Sequence, residues 1–339
     1  MISKLKKKRV LVFGNKGFVG SWLSLSLNLF EANVLGVSLK MNNSNYLSNT
    51  IQFKKKVNTI YCNINNLNKV KKKISSFKPE IVVHLASQPL VSEGYKNPKK
   101  TFNTNIIGTL EILELIKDLK TLKKIIIFTS DKVYENNHQK LNEDSKLGGI
   151  DPYSASKSCQ DIISQCYNLS FLKKQMIILR SGNIIGGGDW AENRLIPDII
   201  RAYKNNKKLK IRSIESTRPW LHILDVLSAI HLIINKKFKD NKINIFNLSP
   251  KEGNQVSVKK ILRLINEKTE IKSLKMNVIK NRINEKKYLK LSSNKIKNQL
   301  GWESELNLVI GLILTVKLYL TKKNNLFLET KKQILDFFN

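Results

Sequence analysis

Near its start the chain runs Arg9-Val10-Leu11-Val12-Phe13 straight into Gly14-Asn15-Lys16-Gly17-Phe18-Val19-Gly20, then into an apolar-periodic segment ending at Leu29. Strand, glycine-rich turn and helix in that order predict the opening unit of a parallel sheet. The glycines let the turn close and let backbone approach a pyrophosphate, whose charge suits the free N–H groups at a helix start.

The same alternation continues. Strands are predicted over 33–38, 59–64, 81–85, 125–128 and 176–180, with helices over 102–119 and 153–172. This pattern predicts an α/β protein: a doubly wound parallel Rossmann-type sheet with a smaller mixed α/β substrate lobe. Residues 1–180 are expected to form the dinucleotide-binding domain, with a returning element near 221–248, and 181–339 mainly the substrate-binding lobe and C-terminal helices. In that later half, 183–190 and 216–220 read as loops, 195–203 and 221–234 as helices, and 243–248 as a strand.

With 339 residues and 41% hydrophobic content the chain can bury a large core. The first strand starts too early to leave room for a signal peptide, and Leu306 to Leu320, interrupted by Lys317, is shorter than the roughly 20 residues of a bilayer span. Cys62, Cys159 and Cys166 lack metal-ligand spacing and read as reduced packing residues, so a cytoplasmic protein without a metal, and without a membrane partner, is expected. The formal charge of +34 would attract polyanions, but the lysines are spread over nearly every segment, as on a solvated surface. No nucleic-acid partner is expected.

The chemistry gathers at two places. In Asp151-Pro152-Tyr153-Ser154-Ala155-Ser156-Lys157, Asp151 suits an N-cap and Pro152 the first helical position, which puts Tyr153 and Lys157 on one helix face. A cation beside a phenol favours the phenolate, so Tyr153 could take a proton from an alcohol. The continuous apolar strand 125–128 delivers Ser130, Asp131 and Lys132 to its carboxyl end, the ligand-binding edge of such sheets. Where an acidic residue would bind the adenosine ribose, the chain reads Ser38-Leu39-Lys40, which leaves NADP open beside NAD. Asn63 reads equally as an adenine contact and as a turn residue.

These features resemble the extended short-chain dehydrogenase/reductase superfamily, through the glycine turn, His84-Leu85-Ala86-Ser87-Gln88 and the Tyr153/Lys157 pair. Longer strings resemble the CDP-glucose 4,6-dehydratases: Gln88-Pro89-Leu90-Val91, the run from Thr129 to Asn136, Leu147-Gly148-Gly149, the stretch from Gly182 through Ala202, and Thr217-Arg218-Pro219-Trp220 with His222. The resemblance implies bound NAD, held by Gly14, Gly17, Phe18, Gly20, Asn63, Ile64, Leu85, Ala86, Gln88 and Asn105 together with Tyr153 and Lys157. It implies that CDP-glucose loses water to give the 4-keto-6-deoxy sugar. Tyr153 would remove the O4 proton, Lys157 would hold the nicotinamide ribose, Ser130 would meet the reacting sugar oxygen, and Asp131 would protonate the departing hydroxyl. Lys132, where related dehydratases carry Glu, would act at C5 as a neutral base or a cation.

For the nucleotide end the resemblance points to Asn183, Arg194 and Arg218, with Arg201 and Arg212 left as surface cations. Trp190 and Trp220 could border the pocket, whereas His84, His138, His222 and His231 read as structural. A homodimer through the helices 102–119 and 153–172 is implied by the resemblance alone. Two other classes compete: a nucleotide-sugar 4-epimerase, which has no need of Asp131 and Lys132, and a redox-inactive scaffold using its basic surface on nucleic acid.

Overall fold

The structure, a computed structural model, describes residues 5–41, 46–135, 140–279 and 288–339. Asn136 and His138 lie outside these. Twelve strands occur among the described residues, in chain order β1 Arg9–Phe13, β2 Asn33–Ser38, β3 Asn58–Tyr61, β4 Ile81–His84, β5 Lys124–Phe128, β6 Gln175–Ser181, β7 Asn183–Ile185, β8 Leu209–Ile211, β9 Thr217–His222, β10 Ile243–Leu248, β11 Gln255–Ser257 and β12 Met276–Val278.

Seven of them form one parallel sheet in the order β3-β2-β1-β4-β5-β6-β10. The chain moves outward from β1 to β3, then crosses back to β4 on the other side of β1. Such a reversal opens a crevice beyond the carboxyl ends of β1 and β4. The sheet needs cover on both faces because its central strands are apolar throughout. One face packs under the helices Phe18–Leu29, Ile223–Asn235 and Leu326–Phe338, around Trp22, Ile126, Ile230 and Ile334; the other carries Leu11, Ile112, Ile116 and Ile178. A third core, with Ile200, Trp220, Ile261 and Leu312, joins the lobe built on the small sheets β11-β9-β7 and β12-β8.

The later half departs from its sequence pattern. Of the segment 216–220, predicted as a loop, all but Ser216 belongs to β9, and the following helix begins at Ile223 rather than Leu221. Pro219 is by type a strand breaker, yet β9 is held on both sides, antiparallel to β11 and parallel to β7. Within the other predicted loop, Asn183, Ile184 and Ile185 pair with Trp220, Leu221 and His222. The predicted third strand stops at Tyr61, because Asn63 caps a 3₁₀ segment by accepting from the Asn65 N–H at 3.1 Å. The predicted helix 102–119 resolves into Pro98–Phe102, a π-helical turn Asn103–Ile107, and Gly108–Lys117.

Two buried charges bind the sheet to its helices. Lys124, at the start of β5, donates to the carbonyls of Ile233 at 2.7 Å and Ile234 at 3.1 Å, closing the end of the helix Ile223–Asn235, and burial pushes its ammonium down to about 8. Arg180 on β6 meets Asp161 of the helix Pro152–Tyr167 through two bonds of 2.8 and 2.9 Å, with both side chains out of solvent. Removing one partner of such a pair leaves an uncompensated buried charge. Asp161→Asn is expected to cost about 3–5 kcal/mol in urea unfolding, and a double replacement of Asp161 and Arg180 by Met to recover much of that loss.

Candidate active site

Beyond the strand ends lies a cavity of about 870 Å³. Its dinucleotide side follows from the glycine turn. Gly14 has φ +85°, and a Cβ there would sit 2.7 Å from the Ala86 backbone nitrogen; one at Gly20 would sit 2.1 Å from the Gly14 carbonyl oxygen. Gly14 also donates to the Val37 carbonyl at 2.8 Å, which ties the turn to β2. Gly17 caps the helix Phe18–Leu29 without any side-chain bond, and a Cβ on it would meet only the Gly14 carbonyl oxygen, at 3.4 Å, while otherwise entering the cavity. The helix start therefore opens its N–H groups onto space, and these residues fit a dinucleotide pyrophosphate.

Phe18, Asn63, Ile64, Leu85 and Ala86 line the same side. Gln88 and Asn105, expected against the cofactor, do not. Asn105 accepts from the Gln88 N–H at 2.7 Å and donates to the Gln88 carbonyl at 3.1 Å and to Ser156 Oγ at 2.8 Å, clamping the loop after β4 onto the helix that carries Tyr153. At the end of β2, Ser38 and Leu39 line the cavity, while Lys40 is exposed and outside its lining.

The second cluster is built from two helical starts. Asp151 caps the helix Pro152–Tyr167 by accepting from the Ser154 N–H at 3.0 Å, which orients Tyr153 and Lys157 inward. Ser130 caps the 3₁₀ turn Asp131–Val133, accepting from the Lys132 N–H at 3.2 Å, and its hydroxyl donates to Asp131 Oδ1 at 3.1 Å. Tyr153 hydrogen-bonds the same Ser130 side chain. Ser130 thus joins the phenol to the carboxyl, and Ser130, Asp131, Lys132, Tyr153 and Lys157 share one cavity wall.

Burial dominates the electrostatics here. It pushes the Tyr153 phenol up to about 12, with the Ser130 bond and the Arg194 charge pulling down, and Asp131 and Asp151 pushing up. Burial also pulls Lys157 down to about 7, opposed by Asp161. This differs from the simple expectation of an ammonium depressing its neighbouring phenol. Lys157 Nζ is turned to Gln160 Oε1 at 2.8 Å and the Phe128 carbonyl at 3.3 Å. Gln160 in turn contacts His84 Nε2 at 3.2 Å and donates to Thr109 Oγ1 at 3.1 Å; His84, fully buried, falls to about 3 and is neutral. Nothing in a Tyr-to-Lys spacing reveals Gln160, although its position one turn beyond Lys157 is a usable signal.

Across the cavity stand Asn183, Arg194 and Arg218. Arg194 is fixed by Asp189 at 2.7 Å, and Arg218 donates to the Thr217 carbonyl at 2.8 Å. Arg212, read from the sequence as a surface cation, also lines the cavity and donates to Asn193 Oδ1 at 3.0 Å, because β8 turns its end inward. Arg201 does stay off the lining, bonded to the carbonyls of Trp190 and Ala191 and to Asp198. Trp220 borders the cavity and donates to the Val256 carbonyl at 2.9 Å, whereas Trp190 packs edge-on against Tyr319 at 5.0 Å. His222 caps the helix Ile223–Asn235 through Nδ1, and His231 lies buried against Ser26 and Phe338. The thiols are free, but they are not all packing groups: Cys62 borders the cavity and Cys166 is exposed. Among the described residues no cluster of three His, Cys, Asp or Glu could hold a metal, and no helix is long and apolar enough to cross a membrane.

A doubly wound sheet, an open glycine turn and a Ser130–Tyr153–Lys157 set define the class of extended short-chain dehydrogenases/reductases. The chain belongs, more narrowly, to the family described as GDP-mannose 4,6 dehydratase, whose model matches residues 11–312. It is 33% identical to a CDP-glucose 4,6-dehydratase of Salmonella typhimurium, covering 98% of this chain and 96% of that one. Among solved structures, UDP-glucose 4-epimerase of Thermotoga maritima superposes with TM-score 0.80 at 24% identity, covering 91% of this chain and 97% of that one. A dTDP-glucose 4,6-dehydratase of Streptomyces venezuelae with NAD bound does so with TM-score 0.80 at 19% identity, over 91% and 96%. The protein is a member of the nucleotide-sugar 4,6-dehydratase family.

Gly17→Val places branched carbon where the pyrophosphate would lie without requiring a left-handed backbone. Nicotinamide-dinucleotide binding by calorimetry should weaken about 100-fold or more, with the melting temperature shifted by only a few degrees.

Proposed function

We propose that this protein converts CDP-glucose to CDP-4-keto-6-deoxyglucose and water with tightly held NAD, as a step of deoxysugar formation in the cytoplasm. The observation that carries the reading is Ser130, whose hydroxyl touches both Tyr153 and Asp131, so that a base for O4 and an acid for O6 face one hexose. The named activity of the Salmonella relative supports the cytidine nucleotide, and the Ser38-Leu39 end of β2, with Lys40 off the lining, supports NAD over NADP. When bound, NAD would supply the hydride acceptor for C4 and the hydride later delivered to C6.

The remaining work falls to the chain. Gly14, Gly17, Phe18, Gly20, Asn63, Ile64, Leu85 and Ala86 hold the dinucleotide, and Gln88 and Asn105 act behind them by fixing the loop. Lys157, held by Gln160, positions the nicotinamide ribose. Tyr153 takes the proton from O4 as C4 becomes a ketone. The ketone acidifies C5–H, whose proton Lys132 would accept as a free amine; Asp131 gives a proton to the C6 hydroxyl, and the C6–O bond breaks to release water. After hydride reaches C6, Lys132 returns its proton to C5. The proton on Tyr153 resets Asp131 through Ser130, so each group ends as it began. Asn183, Arg194 and Arg218 hold the diphosphate, a role suited to guanidinium forks.

Tyr153→Phe should lower turnover at least about 10³-fold while leaving nucleotide binding within threefold, because only the proton acceptor is lost. Asp131→Asn should instead pass C4 oxidation and stall before elimination, visible by NMR as the absence of the C6 methyl doublet. Wild-type protein yielding only a C4 epimer from CDP-glucose would sink the dehydratase reading.

The assembly belongs to the same proposal. Leu110 and Ile162, on the mutually packed helices Gly108–Lys117 and Pro152–Tyr167, are 37% and 51% exposed, and Ile107, Leu169 and Phe171 extend this apolar surface. We expect a homodimer through this face. Light scattering should give twice 39.0 kDa for the wild type and a single mass for the Leu110→Glu/Ile162→Glu variant.

A further inference from the structure

The proposed reaction leaves Asp198, Arg212 and Asn193 unused, although all three line the cavity. Their placement is ordered. Arg194, whose charge reaches Tyr153, caps the helix Leu195–Lys204, and Asp198 follows it by one turn, about 6 Å along the axis. Asp198 is locked to Arg201, which is itself anchored on two lobe carbonyls. Arg212 stands at the end of β8, fixed by Asn193, and its charge is felt at Asp198. A ligand with its hexose at Tyr153 and its diphosphate at Arg194 and Arg218 continues through its ribose, about one helical turn in length, to a base that comes beside a carboxylate and a guanidinium.

Those two groups are not interchangeable in hydrogen bonding. An ionised carboxylate only accepts, and a guanidinium only donates, in a flat fork. Cytosine offers a donor at N4 and adjacent acceptors at N3 and O2, whereas uracil and thymine reverse the first two, with an acceptor at O4 and a donor at N3. We infer that Asp198 and Arg212 read the Watson–Crick edge of a cytosine, Asp198 accepting from the N4 amino group and Arg212 donating to N3 and O2, and that they reject uracil and thymine. Against those bases the carboxylate meets O4 and the guanidinium meets an N3–H, leaving partners unpaired in a partly desolvated site. This assignment rests on the nucleotide-sugar reading and identifies its base.

Calorimetry with CDP and UDP alone separates the two readings, because no turnover is required. Wild-type protein should prefer CDP by about 100-fold or more. Asp198→Asn, whose amide can turn its NH₂ toward O4, should reduce that preference about 10- to 100-fold by weakening CDP and strengthening UDP. Arg212→Gln should weaken CDP about 10-fold or more and narrow the preference too, and it serves should loss of the Arg201 partner unfold the first variant. A wild type binding CDP and UDP within threefold, or a preference unmoved by the folded variants, overturns the inference. Retained CDP preference in a protein that forms no 4-keto-6-deoxy sugar leaves the inference standing and removes the dehydratase chemistry instead.

Discussion

The bidentate contact between Arg180 and Asp161 is the joint on which the site is hung. Asp161 belongs to the helix that carries Tyr153 and Lys157, Arg180 to the strand beside β5, and Thr129, next to Ser130, also reaches Asp161, at 3.3 Å. Arg180 extends the joint to the Tyr134 hydroxyl at 3.0 Å, and Tyr134 to Asn247 on β10 at 2.6 Å. One network thus sets the separation between the phenol and the Ser130–Asp131 turn. Such a pair is weak as a source of stability, since both ions are desolvated, but it is stringent about geometry. A site that must bring an acid and a base to one hexose has use for that stringency.

Desolvation is the second organising force. It raises the Tyr153 phenol, lowers the Lys157 ammonium, and keeps His84 and His222 neutral at about 3. A dry wall of this kind opposes ionisation of the phenol, and positive charge near Tyr153 can offset it. Arg194 already acts in that direction. The same dryness strengthens each charge interaction made within the cavity.

Much of this was legible in the residues. The glycine turn required Gly14 and Gly20 for close approach, and the Asp151-Pro152 start announced a helix whose face carries the Tyr153/Lys157 pair. Other parts depended on contacts between distant segments, which local pattern does not encode. The loop reading of 216–220 failed because pairing on both sides of β9 outweighed the local propensity of Pro219. Gln88 and Asn105 carried the right residue types, but the Gln88 amide is spent on Leu90 and Thr101, and the Asn105 amide on the Gln88 backbone and Ser156. Arg212 looked like any other cation in a strongly basic chain, and only the path of β8 distinguishes it from its neighbours.

Arg194 holds a double office. Asp189 fixes it on the lobe, while its field extends to the phenol. An anion resting on that guanidinium shields the field that Tyr153 feels. Hold on an anionic ligand and ionisation of the phenol therefore draw on one cation, and whatever tightens the first disfavours the second.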